Sequence, residues 1–372
     1  MMIRAMPNRN IRILLLVCIL WTGLAADHPR HLRAADPPAD SLRTPPKEWD
    51  SSANTLSDLL RFDTGDRVTT KADWQRRREQ LRAHWLAFFG TGPGKPPALG
   101  VEIVERSQQP DHQRQLIRYA VEPDVRVDAY LLLPEKPHPN RPGIVVLHPT
   151  TDGTIRHPVG LYDHKKKGSH RLGLHLVRRG YAVICPENYL WIKGKCRLKA
   201  SVDELFQRYP KWNGMAKMTW DASRAVDVLI QGRHCDPRRI GCIGHSLGAK
   251  EVLYLAAFDE RIAAAVSSDG GIGLTFSNWH DPWYLGPRIK DPNFGRENHE
   301  VLALVAPRPF LLLAGQSADG DKSWAFIERA LDVYKLLEAE DRIGWHNHRQ
   351  GHAIPPDARR LAFAWLDKWL TR

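Results

Sequence analysis

The spacing of hydrophobic residues along the chain changes at Pro142. Before this residue, apolar side chains at helical spacing predict a helix over residues 71–89. Alternating or clustered apolar runs then predict strands at 101–104, 114–121 and 125–133. Because these three strands follow one another without helices between them, we expect the sheet to begin with antiparallel pairing.

Beyond Pro142, strand-like and helix-like segments alternate. The predicted strands cover residues 143–147, 181–185, 239–243, 262–266, 310–314 and 343–346. The predicted helices cover residues 172–179, 220–231, 249–258, 324–338 and a last segment after Pro356. This order predicts an α/β fold, with a mostly parallel, doubly wound sheet, antiparallel N-terminal strands and helices on both faces.

The N-terminus has the features of a secretory signal peptide over residues 1–25. Three arginines precede a mostly apolar run at 13–24, and Gly23-Leu24-Ala25 offers a small-x-small cleavage site. The run is shorter than the roughly 20 residues that span a bilayer, so a permanent anchor is the weaker alternative. We therefore expect an exported protein, periplasmic or extracellular, without a stable membrane span after cleavage.

The remaining sequence divides by composition. Residues 26–47 are rich in Pro, Arg and Asp and predict an exposed linker. Residues 48–110 are expected to form an N-terminal helical extension with the first strand, and residues 111–372 the α/β domain. Segments 186–219 and 273–300 interrupt the alternation at carboxyl ends of strands, and their aromatic and basic side chains suggest lid-like inserts over a substrate.

Charge and cysteine content narrow the range of partners. The formal net charge is +12, and loss of residues 1–25 would leave +9, which favours acidic partners such as a uronic-acid polysaccharide. No nucleic-acid-binding motif accompanies this charge. Four cysteines lie beyond the signal peptide, and export permits disulfide bonds. A bond between Cys185 and Cys242 is disfavoured, because another strand is expected to lie between the two predicted strands that contain them.

The segment Gly244-His245-Ser246-Leu247-Gly248 carries the first candidate chemistry. It has the form Gly-x-Ser-x-Gly between a predicted strand and a predicted helix, where a sharp turn exposes the serine hydroxyl above the sheet. Small residues at both ends of the motif allow that turn. Ser246 is therefore the candidate nucleophile, against the alternative of an ordinary strand-turn-helix with an incidental serine.

A serine hydroxyl needs a base and a group that orients the base. His352 follows the last predicted strand, at the carboxyl edge where sites form in such sheets. Asp319 follows the preceding strand and gives the order Ser, Asp, His, so we predict it as the acid. Asp321 and Asp269, the latter at the end of an earlier strand, are the alternatives.

The reaction also requires donors for the oxyanion. We predict the backbone amides of Leu247, directly after the nucleophile, and of Thr150, in the loop after strand 143–147, where Pro149 has no N–H. His346 and His348 share one face of a predicted strand but lack an acidic or cysteine partner at metal spacing, so no metal is expected. No cofactor motif occurs either.

Residues 112–370 thus resemble the α/β-hydrolase superfamily. Within it, Val125 to Pro134 and Ala256 to Ile262 are similar to the dienelactone-hydrolase and acetyl-xylan-esterase-like branch of exported bacterial esterases. The resemblance implies Ser246, Asp319 and His352 as the triad and Leu247 and Thr150 as oxyanion donors. The sequence departs from known relatives of this fold in two ways. It has Ser246 where dienelactone hydrolases proper use a cysteine nucleophile, and it lacks the His-Gly-Gly-Gly oxyanion loop of many lipases and esterases.

The expected function is a serine ester hydrolase that works through an acyl-enzyme, on carbohydrate-linked or other small carboxylic esters. A peptidase of the prolyl-oligopeptidase kind would use the same triad, but the chain lacks the length for a full propeller domain. A binding protein that retains the fold without chemistry is the third hypothesis.

Overall fold

The computed structural model describes residues 42–136, 138, 140–162 and 170–371. The predicted signal peptide at 1–25 and most of the predicted linker at 26–47 lie outside these residues. No helix of the described part of the chain is long and apolar enough to cross a membrane.

The described chain contains eleven strands and eight α-helices. The strands are β1 (Glu102–Gln108), β2 (His112–Glu122), β3 (Val125–Pro134), β4 (Gly143–Leu147), β5 (Ala182–Pro186), β6 (Trp191–Ile192), β7 (Lys195–Cys196), β8 (Ile240–His245), β9 (Ile262–Ser268), β10 (Phe310–Ala314) and β11 (Ile343–Asn347). The helices are α1 (Lys71–Phe89), α2 (Leu172–Val177), α3 (Leu198–Arg208), α4 (Gly214–Gln231), α5 (Leu247–Phe258), α6 (Asn298–Ala303), α7 (Trp324–Leu336) and α8 (Pro356–Leu370).

Nine strands form one sheet in the order β1-β2-β3-β5-β4-β8-β9-β10-β11. The pairs from β1 to β5 are antiparallel, and those from β5 through β4 to β11 are parallel. The carboxyl ends of β4, β5, β8, β9, β10 and β11 therefore share one edge of the sheet. This confirms the predicted α/β class and the predicted antiparallel start.

Helices cover both faces of the sheet. Buried side chains of α1, α4, α5, α6 and α7 belong to one core cluster, and those of α2 and α8 belong to the other. The parallel strands β4, β5, β8 and β10 are buried at every position, as strands covered on both faces must be. Helices packed on both faces of the sheet thus hold in place the strands whose carboxyl ends form the shared edge.

Two regions depart from the predicted elements. Helix α4 begins at Gly214 rather than Trp220, because the Asn213 side chain accepts a hydrogen bond from the amide of Ala216 and caps a helix start within an insert. The insert 186–219 also contains the hairpin β6–β7 and helix α3. Strands β6 and β7 have two residues each, too few for a periodic pattern. Helix α3 does carry Leu198, Val202 and Leu205 at helical spacing, so the prediction missed a signal that the sequence contains.

Helix α1 packs into the main core. Its capping box joins Thr70 and Asp73, and its indole Trp85 lies edge-on to Tyr254 of α5, with ring centroids 6.0 Å apart. The Trp85 Nε1 donates to Glu300 of α6 at 2.9 Å. The helical extension is thereby attached to the helix that follows the candidate nucleophile.

Candidate active site

Ser246 stands at a strained turn between β8 and α5. Its backbone has φ 59° and ψ −117°, in a region that residues with a side chain rarely adopt. A Cβ on Gly244 would lie 2.3 Å from the carbonyl oxygen of Gly248, and a Cβ on Gly248 would lie 2.2 Å from that of Leu147. Both glycines of the motif are therefore steric requirements of the turn, as predicted.

The imidazole of His352 lies between the nucleophile and a carboxylate. Its Nε2 is 2.9 Å from Ser246 Oγ, and its Nδ1 is 2.5 Å from Asp269 Oδ2. The loop that carries His352 is held to the loop after β10, because the amide of Gly351 donates to the carbonyl of Gly315 at 2.7 Å. Three side chains distant in sequence thus form a Ser–His–Asp arrangement at the carboxyl edge.

The acid of this arrangement is Asp269, which corrects the prediction of Asp319. Asp269 follows the end of β9 with φ 52°, and its side chain is fully buried. The carboxylate of Asp319 instead accepts hydrogen bonds from the amides of Gly271 and Ile272, at 2.7 and 2.8 Å, and from the hydroxyl of Ser323. Strands β9 and β10 are neighbours, so Asp269, directly after β9, and Asp319, in the loop after β10, lie close together, but only the Asp269 side chain contacts the imidazole.

Asp321, the other alternative, lies outside the arrangement. Its carboxylate pairs with the guanidinium of Arg349 at 2.7 Å and accepts from the side chain of Asn347. Asp321 therefore joins the loop after β10 to β11 and the loop that follows it, and it forms neither a hydrogen bond nor an ion pair with His352.

A second histidine supports the base. The ring of His245 lies 4.6 Å from that of His352, and its Nδ1 is 3.2 Å from Ser268 Oγ. Burial holds the pKa of His245 well below the usual range, so this ring is neutral. A neutral neighbour adds no repulsion when His352 becomes an imidazolium ion during a reaction.

The predicted oxyanion donors remain predictions that the local geometry supports. Leu247 is the first residue of α5, where amides have no intrahelical acceptor. The close approach of Gly248 to the carbonyl of Leu147 places the start of α5 directly against the end of β4, two residues before Pro149. Thr150 follows and is exposed.

Lys250 is a buried cation that sequence reasoning missed. It lies one helical turn after Ser246, and its Nζ donates to Ser277 Oγ at 2.8 Å and to Asn278 Oδ1 at 2.9 Å. The ammonium group also lies 4.7 Å from the ring centroid of Trp279 and 4.4 Å from that of Tyr284. Burial lowers the pKa of Lys250 to about 7. A lysine within an otherwise apolar helix start was the available signal.

Within the described ranges, no group of three or more His, Cys, Asp or Glu side chains, with or without His346 and His348, is arranged to hold a metal ion. The four cysteines in the described part of the chain are free thiols: Cys185, Cys235 and Cys242 are buried and Cys196 is exposed. Strand β4 separates the strands of Cys185 and Cys242, as predicted.

Comparison with known proteins relates this geometry to described hydrolases. Residues 127–293 match the Dienelactone hydrolase family. A Bacillus subtilis (strain 168) protein named as a hydrolase, YtaP, is 26% identical over 317 residues, which cover 79% of this chain and 100% of YtaP. A 4-O-methyl-glucuronoyl methylesterase of Phanerochaete carnosa (strain HHB-10118-sp) is 22% identical over 198 residues, which cover 42% of this chain and 47% of that protein.

The fold is also that of solved esterase structures. The glucuronoyl esterase from Solibacter usitatus aligns with a TM-score of 0.68 and 22% identity, over 84% of this chain and 97% of the esterase. The α/β-hydrolase fold and the resemblance to the dienelactone hydrolase branch are confirmed. The prediction of a serine-type hydrolase agrees with both the family match and the Ser–His–Asp geometry.

Proposed function

We propose that this α/β hydrolase of the dienelactone-hydrolase type cleaves carboxylic esters of uronic acids in carbohydrates, with Ser246 as the nucleophile. The observation that carries the proposal is the position of His352, whose two ring nitrogens contact Ser246 Oγ and Asp269 Oδ2. A base in hydrogen-bond contact with both a serine and a buried carboxylate is the arrangement that activates a serine hydroxyl.

The first half of the reaction forms an acyl-enzyme. Ser246 Oγ attacks the ester carbonyl carbon while its proton passes to His352 Nε2, and Asp269 stabilises the resulting imidazolium through Nδ1–H. The carbonyl oxygen becomes an oxyanion that accepts hydrogen bonds from the amides of Leu247 and Thr150. Collapse of this intermediate breaks the bond to the alcohol oxygen, which takes the proton from His352 as the alcohol leaves.

The second half releases the acid. A water molecule gives a proton to His352 Nε2 and attacks the acyl carbon, which again forms an oxyanion at the same amides. Collapse of this second intermediate returns the proton to Ser246 Oγ and frees the carboxylic acid. Both halves use the same three side chains, and neither needs a further co-reactant.

Three observations favour a uronic acid as the acyl group. Relatives in sequence and fold are named as glucuronoyl esterases. Lys250 presents a buried ammonium group beside the hydroxyl of Ser277 and the amide of Asn278, a polar cluster suited to sugar hydroxyls. The formal net charge of +12 also favours association with acidic polysaccharides.

The test is a substrate panel on purified protein. We expect turnover of methyl and benzyl esters of glucuronic acid to exceed that of p-nitrophenyl acetate in kcat/KM, and a prolyl p-nitroanilide to remain intact. Ser246→Ala should abolish ester turnover and labelling by a fluorophosphonate. Preferential cleavage of the anilide would favour the peptidase hypothesis, and a folded protein without labelling or turnover would favour a binding protein.

We also propose that the protein is exported, since residues 1–25 have the composition and order of a signal peptide. Expression of the full chain in a Gram-negative host should yield a periplasmic product that begins near Ala26. A cytoplasmic product that retains residues 1–25 would contradict this proposal.

A further inference from the structure

The loop after β4 is held by a buried histidine. The side chain of His148 is about 1% exposed, and its Nδ1 lies 2.9 Å from the carbonyl oxygen of Pro149. Its Nε2 lies 3.1 Å from the backbone amide nitrogen of Asn188. A carbonyl oxygen only accepts and an amide N–H only donates, so the proton of His148 is on Nδ1 and Nε2 is bare. Burial lowers the pKa of His148 to about 4, which keeps the ring neutral.

The contact with Pro149 determines the direction of the next amide. The peptide bond between Pro149 and Thr150 is trans, since the one cis bond among the described residues joins Ala306 and Pro307. In a trans peptide the carbonyl oxygen and the amide hydrogen point in opposite directions. With the Pro149 oxygen turned toward the buried imidazole, the Thr150 N–H points away from it, and it has no acceptor among the described residues.

The same histidine is tied to the helix that follows the nucleophile. The side-chain amide of Asn188 donates to Glu251 Oε1 at 3.0 Å, and its oxygen accepts from the amide of Leu190. Glu251 lies on α5, five residues after Ser246. The indole of Trp191 packs edge-on against His148, with ring centroids 5.2 Å apart. A buried chain of hydrogen bonds therefore connects the loop after β4 with α5.

We propose that His148 is a positioning residue that orients the Pro149–Thr150 peptide so that the Thr150 amide donates to the oxyanion. This inference rests on the proposed function, because an oxyanion forms only if Ser246 attacks an ester. It assigns His148 a task in the transition state rather than in ground-state binding, since the donor must point at a charge that develops during the reaction.

Two substitutions separate the two hydrogen bonds of the ring. His148→Asn places an amide nitrogen near the position of Nδ1 and keeps the donation to Pro149, but loses the acceptor for Asn188. His148→Gln reaches the position of Nε2 and keeps that acceptor, but loses the donation to Pro149. Removal of one oxyanion donor lowers kcat by about 100- to 1000-fold in other hydrolases. We expect His148→Gln to lose about 10- to 100-fold in kcat with little change in KM, and His148→Asn to lose less than about 10-fold.

A proline at position 150 tests the donor itself, because proline has no N–H. Thr150→Pro should lower kcat at least as much as His148→Gln, and the double variant should be no slower than Thr150→Pro alone, since both changes affect one donor. A boronic acid that forms a tetrahedral adduct on Ser246 should bind more weakly to each single variant, by about the factor lost in kcat/KM. Thermal unfolding and circular dichroism identify variants that fail to fold.

The outcomes distinguish this inference from the proposed function. A wild-type protein that neither hydrolyses esters nor reacts with a fluorophosphonate contradicts the proposed function. An active wild type, with a folded His148→Gln variant that keeps wild-type kcat and boronic acid affinity, overturns the positioning role alone. Equal kcat losses in His148→Asn and His148→Gln that follow their losses in thermal stability would also overturn it, because they would indicate a structural role only.

Discussion

The backbone amide of Asp319 donates a 2.8 Å hydrogen bond to Oδ1 of Asp269, the carboxylate that holds His352. The two acids therefore act on one turn in different ways. The Asp269 side chain contacts the imidazole. The Asp319 side chain accepts hydrogen bonds from the backbone amides of Gly271 and Ile272, which come shortly after Asp269 in the same turn. Asp319 fixes the backbone from which Asp269 projects.

Substitution of each acid by asparagine should separate these tasks. Asp269→Asn removes the charge that stabilises the imidazolium and favours the wrong tautomer of His352, and the corresponding change in a serine protease costs about 10⁴ in kcat. We expect a loss of about 10³- to 10⁴-fold here, with the fold retained. Steady-state kinetics on a glucuronate ester and circular dichroism give the measurement.

Asp319→Asn is the matched control for that substitution. An asparagine has one acceptor oxygen in place of two, so the turn at 270–272 loses at least one of its hydrogen bonds. We expect a lower melting temperature and a smaller loss of kcat than in Asp269→Asn. A larger loss of kcat in a folded Asp319→Asn variant would reassign the acid to Asp319.

Substitution of either glycine of the Gly244–Gly248 motif should have a steric effect. In Gly248→Ala the new methyl group would meet the carbonyl oxygen of Leu147 at 2.2 Å, which requires backbone movement between β4 and α5. We expect loss of most ester turnover and a clear drop in melting temperature. Gly180→Ala is a useful comparison, because Gly180 has φ 94° and open space around it, so only backbone strain of about 1 to 3 kcal/mol arises. If Gly248→Ala is no worse than Gly180→Ala, the close approach is not a requirement.

Glu251 predicts a pH dependence of stability. Burial raises the pKa of this carboxyl from 4.5 to about 8 in the folded protein. Between these values the folded state binds more protons than the unfolded state, so the free energy of unfolding falls as pH rises. Glu251→Gln cannot ionise and keeps an acceptor for Asn188. We expect the variant and the wild type to be equally stable near pH 4, and the variant to be more stable near pH 8 by up to a few kcal/mol.

Urea unfolding of both proteins at several pH values measures this difference, and groups common to both cancel. If the difference in the free energy of unfolding between the two proteins stays constant from pH 4 to pH 8, Glu251 has the same pKa in the folded and unfolded states.

Lys250 predicts substrate selectivity. Lys250→Met keeps the length of the side chain but removes an ammonium group, and a hydrogen bond to a charged group contributes about 1.5 to 3 kcal/mol. We expect the ratio of kcat/KM for glucuronate esters to that for p-nitrophenyl acetate to fall by about tenfold or more. Because the pKa of Lys250 is about 7, the wild-type ratio should also decrease between pH 6 and 8 as the amine loses its proton.

Lys199→Met is the control for that substitution, since Lys199 is exposed and paired with Asp203 on α3. If Lys250→Met and the wild type show the same ratio of kcat/KM for glucuronate esters to that for p-nitrophenyl acetate at every pH, another residue is responsible for substrate recognition.

The central fold could be predicted from sequence because its signal is local. Strands such as β4 and β10 are uninterrupted apolar runs, and the Gly-x-Ser-x-Gly motif is a pattern of five adjacent residues, although the atom that restricts Gly248 belongs to the distant Leu147. His352 followed from its place after the last strand. The identity of the acid could not be predicted in the same way, because Asp269 and Asp319 both lie in loops that follow adjacent strands, and the sequence does not show which side chain points at His352. The roles of His148 and Lys250 likewise depend on contacts between segments distant in sequence.

The close approach of Gly248 to the carbonyl of Leu147 leaves no free space between the turn at Ser246 and the end of β4. Efforts to redirect this protein toward bulkier acyl groups by remodelling that boundary would disturb the nucleophile itself. Variation is better tolerated at exposed positions of the inserts 186–219 and 273–300, such as Lys199 and Lys290. Asn188, Ser277 and Asn278 of the same inserts must be kept, because they contact His148 and Lys250. Libraries restricted to those exposed positions should retain reactivity while they diversify the acceptable sugar.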